Sequence, residues 1–504
     1  MISLVTLALL ASVPVLIYVF LTWNFDYWKK RGVRGPKPTP LLGSFPSLFT
    51  QKQHFANDLN DIYRKYKNDE NYVSVFLMRA PQLMILDPAL VHEVFVTAFK
   101  HFHDNDVARL VDTKKDPLIA NNPFIATGHA WKEQRSLVSP GMTGTRIKVA
   151  YSVMQKVCNS FCDYIEKEIK MMHKDGINGK ELSLRFTAEN VCDSVLGINA
   201  RSFTNDRIPV AENVKVFAEN NTIFLIYSIF AGLFPSAINF YKAKFFPKHC
   251  EEFFINLMKQ AFKMRQENKT DRQDFLNHLL SMSEKKELNY IELASHTMTF
   301  LIDGLDTTAT AISHCLLFLA RSPDVQEKLH EEIVQNSDEN GELSFEKLNE
   351  LPYLDACFHE SIRMFPPGLF STKICTEPYE FTNKNGDKLK VNVGETIMLP
   401  LYAIHNDPQI YPEPEKFDPE RFMPENGGVK KYRDMGAFLG FGDGPRMCLG
   451  MRFALTQSKA ALSAVIRKFI VKVNPKTEPI NKLDPKAFLA MQDGGVWLDF
   501  EKRV

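Results

Sequence analysis

The chain has 504 residues, 45% hydrophobic and 24% charged, with a formal net charge of +1. This is the composition of a globular protein, and its balance of charge excludes a dedicated nucleic-acid binder or an acidic tail protein. The 39 phenylalanines suit an apolar interior or pocket.

The eight cysteines (158, 162, 192, 250, 315, 357, 375 and 448) form no C-x-x-C pair, which argues against a zinc ribbon or a thioredoxin-type site. Scattered so widely in a long chain, they read as reduced thiols in a cytosol-facing domain, most of them small buried hydrophobes.

Residues 1–25 carry no charge, and Ile2–Leu21 is almost wholly aliphatic. About 20 apolar residues are enough to cross a bilayer. A cleaved signal peptide has a shorter apolar core of about 7–15 residues and a basic leading region, and this segment has neither. It reads as an N-terminal membrane anchor. Trp23, Tyr27 and Trp28 are predicted to form an interfacial belt. The basic run Lys29, Lys30, Arg31, Arg34 and Lys37 places the remainder on the cytosolic side. Residues 26–44 are a basic, Pro-rich linker, in which the prolines of GPKPTPLLGS (35–44) forbid helix and favour a stiff extended strut. From 45 to 504 no repeat, low-complexity tract or second linker appears, so one large catalytic domain is expected.

Strand-like pieces are few: Val73–Leu77 with Leu83–Leu86, then Lys388–Val393 with Ile397–Leu399. Helical patterns dominate, and the fold class is mainly α with a small β portion. Residues 214–246 form an aromatic, apolar stretch, read either as buried core or as a surface dipping into a bilayer. The segment Ile291–Ala320 is a long apolar helix stopped at Ser322-Pro323, where Ser322 is expected to cap the next helix. Two sequons, Asn220-Asn-Thr222 and Asn268-Lys-Thr270, should stay bare if this topology holds.

The most specific signal is FGDGPRMCLG (441–450), which fits F-x-x-G-x-R-x-C-x-G at every fixed position. It resembles the haem-thiolate loop of the cytochromes P450. With that family in view, other segments fall into its order. These are Trp131-Lys-Glu-Gln-Arg135, Asp303-Gly-Leu-Asp306-Thr307-Thr308, Glu360-Ser-Ile-Arg363, STKICTEP around Lys373, and PERF (419–422) with Arg421.

The resemblance implies the cytochrome P450 fold and haem b (iron-protoporphyrin IX) ligated by the Cys448 thiolate. Such a ligand pushes electron density toward bound oxygen and favours O–O cleavage. Backbone N–H groups near Leu449 and Gly450, with the N-terminus of the following helix, would keep the sulfur ionised. Gly444 would permit the turn and Gly450 the close approach to porphyrin. Phe441 would pack beside the sulfur. Arg446, Trp131, Arg135 and Lys373 would serve the propionates. A Glu360–Arg363–Arg421 network would lock the region beneath the haem. Gly304 would loosen the long helix, and Thr307 and Asp306 would handle the protons that oxygen activation needs.

Two positions depart from the family pattern. Asp303 stands where Ala or Gly is usual. Three roles are open to it: a hydrogen bond within the distal pocket, an ester to the haem, or a side chain turned away. Lys373 stands where Arg is common and keeps the charge without the fork, so weaker haem retention is expected.

By resemblance the activity is NADPH- and O2-dependent monooxygenation of a lipophilic small molecule, whether xenobiotic, steroid, terpenoid or fatty acid. Electrons would come from NADPH–cytochrome P450 reductase, with cytochrome b5 as a further partner. Lys132, Lys430, Lys431 and Arg433 would receive an acidic partner face. The place expected is the endoplasmic reticulum membrane, held by the single anchor. A peroxide-rearranging isomerase or a ligand-sequestering haem protein fits less well, because each does without the Asp306-Thr307 pair.

Overall fold

The computed structural model describes residues 4–503 except 172–174, 219–221, 243, 245, 268–273 and 287–288. The side chains of 4–10, 216–218, 222–225, 228, 239 and 282–286 are also outside the description. Both sequons therefore fall outside the described residues.

The long helix is the axis of the molecule. It runs from Tyr290 to Arg321, and its 32 residues span about 48 Å. Its start is fixed by a capping box: Asn289 Oδ1 accepts from the backbone N–H of Ile291 and Glu292, and Glu292 reaches back to the Asn289 N–H. From Leu293 to Leu301 and from Thr308 to Ala320 every residue is buried. A helix apolar on all faces has to be enclosed by other elements. Helix Gly179–Val191 packs along it, with Met451–Lys468, Pro352–Met364 and Lys248–Glu267 around it. The helix is continuous through Gly304. Thr307 and Thr310 donate back to the carbonyls of Asp303 and Asp306, the pattern that bends helices slightly without breaking them. Pro323 opens the following helix as expected, but Ser322 makes no side-chain cap.

The β portion is small and assembled from distant pieces. Tyr72–Leu77 pairs antiparallel with Ala80–Ile85. The latter pairs parallel with Thr396–Leu399, which continues to Ser371–Ile374 and Asp104–Asn105. Lys388–Val391 belongs to a separate hairpin with Tyr379–Thr382. Near the C-terminus, Trp497–Lys502 joins Phe469–Val473 and Ile177–Asn178. The helical majority and minor sheet content agree with the reading of the sequence.

Two expectations near the N-terminus change. Residues 35–44 do not stand free as a strut. Arg34 O accepts from Ser74 N–H at 2.8 Å, Phe76 O accepts from Ser44 N–H at 2.8 Å, and Gly43 bridges Leu77, so the segment lies along the edge of the first strand. Gly35 makes this approach possible, since a Cβ there would overlap the Ser74 carbonyl. Trp28 is not interfacial either: it is fully buried, with Arg31 4.5 Å above its ring, while Tyr27 hydrogen-bonds Glu395. Trp23 alone of the three aromatics is strongly exposed. Leu4–Thr22 is an uncharged 19-residue helix carrying Pro14. Among the described residues no helix is long and apolar enough to cross a membrane.

The 214–246 stretch divides into helices Val210–Ala218 and Thr222–Leu233 and a short turn. Tyr227 and Ile238 are buried, but Ile226, Phe234, Tyr241 and above all Phe240, at 91%, are exposed. This surface adjoins the end of the first helix. Phe20 packs against Phe234 with tilted rings 5.4 Å apart, and Arg79 lies over Phe20 while its Nη1 donates to Leu233 O at 2.6 Å.

Candidate active site

The 441–450 loop is a tight hairpin ending at a helix N-terminus. Cys448 N–H donates to Phe441 O at 2.8 Å, and Met447 N–H donates to Gly444 O at 3.0 Å. Gly444 has φ of +66°, and a Cβ there would overlap the Phe95 carbonyl, so both the turn and the packing require glycine. Gly450 is different. Its φ is −85° and a Cβ would meet nothing within 4 Å, so the protein itself does not demand glycine and the space beside it is open. Phe441 is half-buried against the core. Helix Met451–Lys468 begins directly after Gly450, which sets Cys448 near its positive end.

A buried network holds this loop. Arg363 binds Glu360 with two parallel bonds of 2.7 and 2.9 Å, both side chains being fully buried. Arg421 reaches Glu360 Oε1 at 3.3 Å. The remaining Arg363 donors go to His405 O and Pro414 O. His405 then completes the link, its Nε2 accepting from Leu439 N–H at 2.7 Å. Burial and the neighbouring Arg363 push this imidazole down to about 3, so it is neutral and free to accept. His405 was not singled out from the sequence: its partners are backbone groups 34 and 42 residues away, and no local pattern marks it.

Seven cysteines are buried and Cys448 is exposed, yet the surrounding protein desolvates its thiol strongly. Asp303 is likewise exposed although it sits mid-way along the central helix. The surface these two side chains present therefore faces an internal void. The charge of Asp303 is felt at Cys448 and adds to the upward push on its thiol. Burial pushes the Cys448 thiol up to about 11, opposed by a hydrogen bond from the Gly450 backbone and by Arg135. A coordinating metal ion reverses that balance, because it deprotonates a ligating thiol outright.

One edge of the void is lined with cations and with donors that have no acceptor. Trp131 Nε1 and Arg446 Nε are buried without a hydrogen-bond partner among the described residues. Arg446 is stacked 4.6 Å over the Trp131 ring, and its other nitrogens donate to Pro123 O, Ala126 O and Asp104 Oδ1. Lys373 Nζ donates to Asn105 Oδ1 at 2.7 Å. Burial first, and then Arg446, push its ammonium down to about 7, against the pull of Asp104. Arg135 lies near enough to Cys448 to feel its charge, and its Nη2 donates to Met447 O at 2.8 Å, which ties it to the thiol loop. Asp104 offsets only part of this positive charge, and the orphaned N–H groups remain costly unless a further acceptor joins them. A flat cofactor carrying two carboxylates at one edge, with its metal at Cys448, fits this set.

On the central helix Thr307 Oγ donates to Asp303 O at 2.6 Å and keeps its lone pairs available. Asp306 is ion-paired: Lys180 Nζ lies 2.6 Å from its Oδ1. Lys180 belongs to helix Gly179–Val191 and was not identified from the sequence. Asp303 accepts from Asn122 Nδ2 at 3.1 Å. Of the basic residues expected on the cysteine side, Lys132, Lys430 and Lys431 are exposed, while Arg433 is half-buried, 3.9 Å from Asp443 of the thiol loop.

The cytochrome P450 family model matches residues 33–498. Probable cytochrome P450 28d1 of Drosophila melanogaster is 49% identical over 499 residues, covering 99% of this chain and 98% of that protein. Probable cytochrome P450 28a5 of the same species is 45% identical over 504 residues, covering 99% of each. Cytochrome P450 9e2 of Blattella germanica is 30% identical over 530 residues, covering 98% of this chain and 97% of the relative. Family profile, whole-length identity and the thiol-lined void agree: the chain belongs to the cytochrome P450 family, the haem-thiolate monooxygenases that take electrons from a redox partner.

Proposed function

We propose that this chain is an NADPH- and O2-dependent monooxygenase of lipophilic small molecules, anchored by its N-terminal helix in the endoplasmic reticulum membrane. Its electrons come from NADPH–cytochrome P450 reductase, with cytochrome b5 as a second donor. One observation carries the reading: the Cys448 thiol faces an internal void whose edge presents Trp131 Nε1 and Arg446 Nε without partners. Haem bound through the Cys448 thiolate supplies the oxygen-activating chemistry, the sulfur donating electron density.

The other assignments concern the chain's own groups. Gly450 N–H and Arg135 favour the thiolate. Arg446, Trp131 and Lys373 hold the carboxylate edge of the cofactor. Phe441 shields the sulfur, and the open space at Gly450 leaves room for the ring. Thr307 holds a hydroxyl at the oxygen pocket, and Asp306 passes protons toward it from the side of Lys180. The apolar surface around Phe240 and Ile226, continuous with Phe20 of the first helix, supports contact of the body with a bilayer. Lys132, Lys430 and Lys431 offer a basic face to an acidic reductase. Residues 1–25, 26–44 and 45–504 serve as anchor, basic linker and catalytic body.

The test is the carbon monoxide difference spectrum of the dithionite-reduced full-length protein. A far-red Soret band is expected, with Cys448→Ala abolishing it. A band typical of histidine-ligated haem in folded protein would overturn the reading.

A further inference from the structure

Asp303 is a carboxylate with no cation of its own. Among the described residues no Lys, Arg or His lies within ion-pair distance of it, in contrast to Asp306 one turn along. Its Oδ2 accepts from Asn122 Nδ2 at 3.1 Å, and among the described residues its Oδ1 has no hydrogen-bond partner. The orientation of Asn122 is set independently: its Oδ1 is taken by the Phe124 N–H at 2.7 Å, so the amide presents its NH2 to Asp303. The next residue, Pro123, gives its carbonyl to Arg446 at 2.9 Å. This short loop therefore fixes the carboxylate beside the cofactor edge and facing the void. Burial raises the carboxyl to about 7, with only the Asn122 bond opposing it.

A carboxylate buried with no cation paired to it costs free energy in the ligand-free protein. A ligand bearing a positive charge recovers that cost through Coulomb attraction in low dielectric, where it is stronger than at the surface. We propose that Asp303 docks the cationic nitrogen of a lipophilic amine, so that substrates with one protonated amino group on an apolar frame are preferred over their neutral isosteres. This inference rests on the haem-thiolate reading and names a substrate class for the same site.

The probes are 4-phenylbutyl-trimethylammonium and its carbon isostere, in which a tert-butyl group replaces the trimethylammonium. Neither has a lone pair to ligate iron. Both are titrated against detergent-solubilised, haem-loaded protein and followed by the Soret shift, after the carbon monoxide spectrum has been recorded. The cation should bind at least about tenfold more tightly than the isostere in the unaltered protein. In Asp303→Asn, which keeps an acceptor for Asn122, the ratio should fall to near one. Equal affinities in the unaltered protein, a comparison needing no variant, would overturn the inference, as would a preference that survives Asp303→Asn. Absence of the thiolate band, read first, condemns the haem-thiolate reading itself. A normal band with no cation preference condemns this inference alone.

Discussion

Lys180 Nζ lies 2.6 Å from Asp306 Oδ1 and 2.8 Å from the Asp306 carbonyl oxygen, bridging two packed helices. The same ammonium donates to Thr310 Oγ1, one turn further along the central helix. Both members of the pair are largely buried, so the contact is little screened by solvent. Any proton that Asp306 relays toward Thr307 leaves or enters a carboxylate held by this cation. Lys180→Met should therefore disturb proton delivery more than electron supply. NADPH consumption with reductase present should change by less than about threefold, while product formed per NADPH falls by about tenfold and hydrogen peroxide release rises. Lys180→Arg should keep most of the coupling. Unchanged coupling in the Met variant would remove Lys180 from the relay.

Trp131 offers a cleaner probe of cofactor retention. Its Nε1 has no partner among the described residues, so Trp131→Phe deletes a donor without orphaning a protein acceptor. The fold should be preserved by circular dichroism, with Arg446 still stacked on an aromatic ring. Haem transfer to apomyoglobin should accelerate about ten- to hundredfold, in line with the loss of one hydrogen bond to a charged group, about 1.5–3 kcal/mol. An unchanged transfer rate would mean that the indole serves packing alone.

These two residues mark the boundary of what the sequence discloses. Cys448, Glu360 with Arg363, and Trp131 with Arg135 are legible through the family resemblance, because each motif is short enough to stand within one or two turns or one loop. Lys180 and Asn122 are not legible, because their bonds span 126 and 181 residues and exist only after the helices and loops have packed. The sheet obeys the same rule: Thr396–Leu399 reads locally as a strand, but its parallel partner at Ala80–Ile85 lies over three hundred residues earlier. The linker misled for a related reason. Its prolines predict a chain without helix, which it is, although the chain turns back on itself between Thr39 and Gly43. Whether such a chain stands free or pairs with a strand depended on Gly35 and Gly43 admitting the backbone of Tyr72–Leu77.

His405 should matter beyond its own packing. It joins Arg363 of the buried ion network to the start of the thiol loop through Leu439 N–H at 2.7 Å. His405→Ala leaves that N–H buried without an acceptor, at a cost of about 1–3 kcal/mol. Thermal denaturation should show a midpoint lowered by a few degrees, and the carbon monoxide spectrum should show part of the population without thiolate ligation. A variant equal to the parent in both would mean the loop does not depend on this link.

The carboxyl of Asp303 makes stability depend on pH in a definite direction. Burial raises it to about 7 in the folded chain, partly offset by Asn122, against an ordinary aspartate value of about 3.9 when unfolded. Between those limits the folded state keeps a proton that the unfolded state has released. The contribution of this group therefore falls as pH rises from about 4 to about 7 and is level above that. Asp303→Asn carries no such proton and should not follow the decline. Denaturation midpoints of the two proteins, measured from pH 5 to pH 8, should separate in favour of Asp303→Asn with rising pH. Taking the difference cancels the other titrating groups, including Lys373, which burial pushes down to about 7 and whose effect runs upward with pH above that point. A gap that is constant with pH, or that closes toward pH 8, would place Asp303 in an environment that does not disfavour its charge, and would weaken the case for a cationic ligand at the same time.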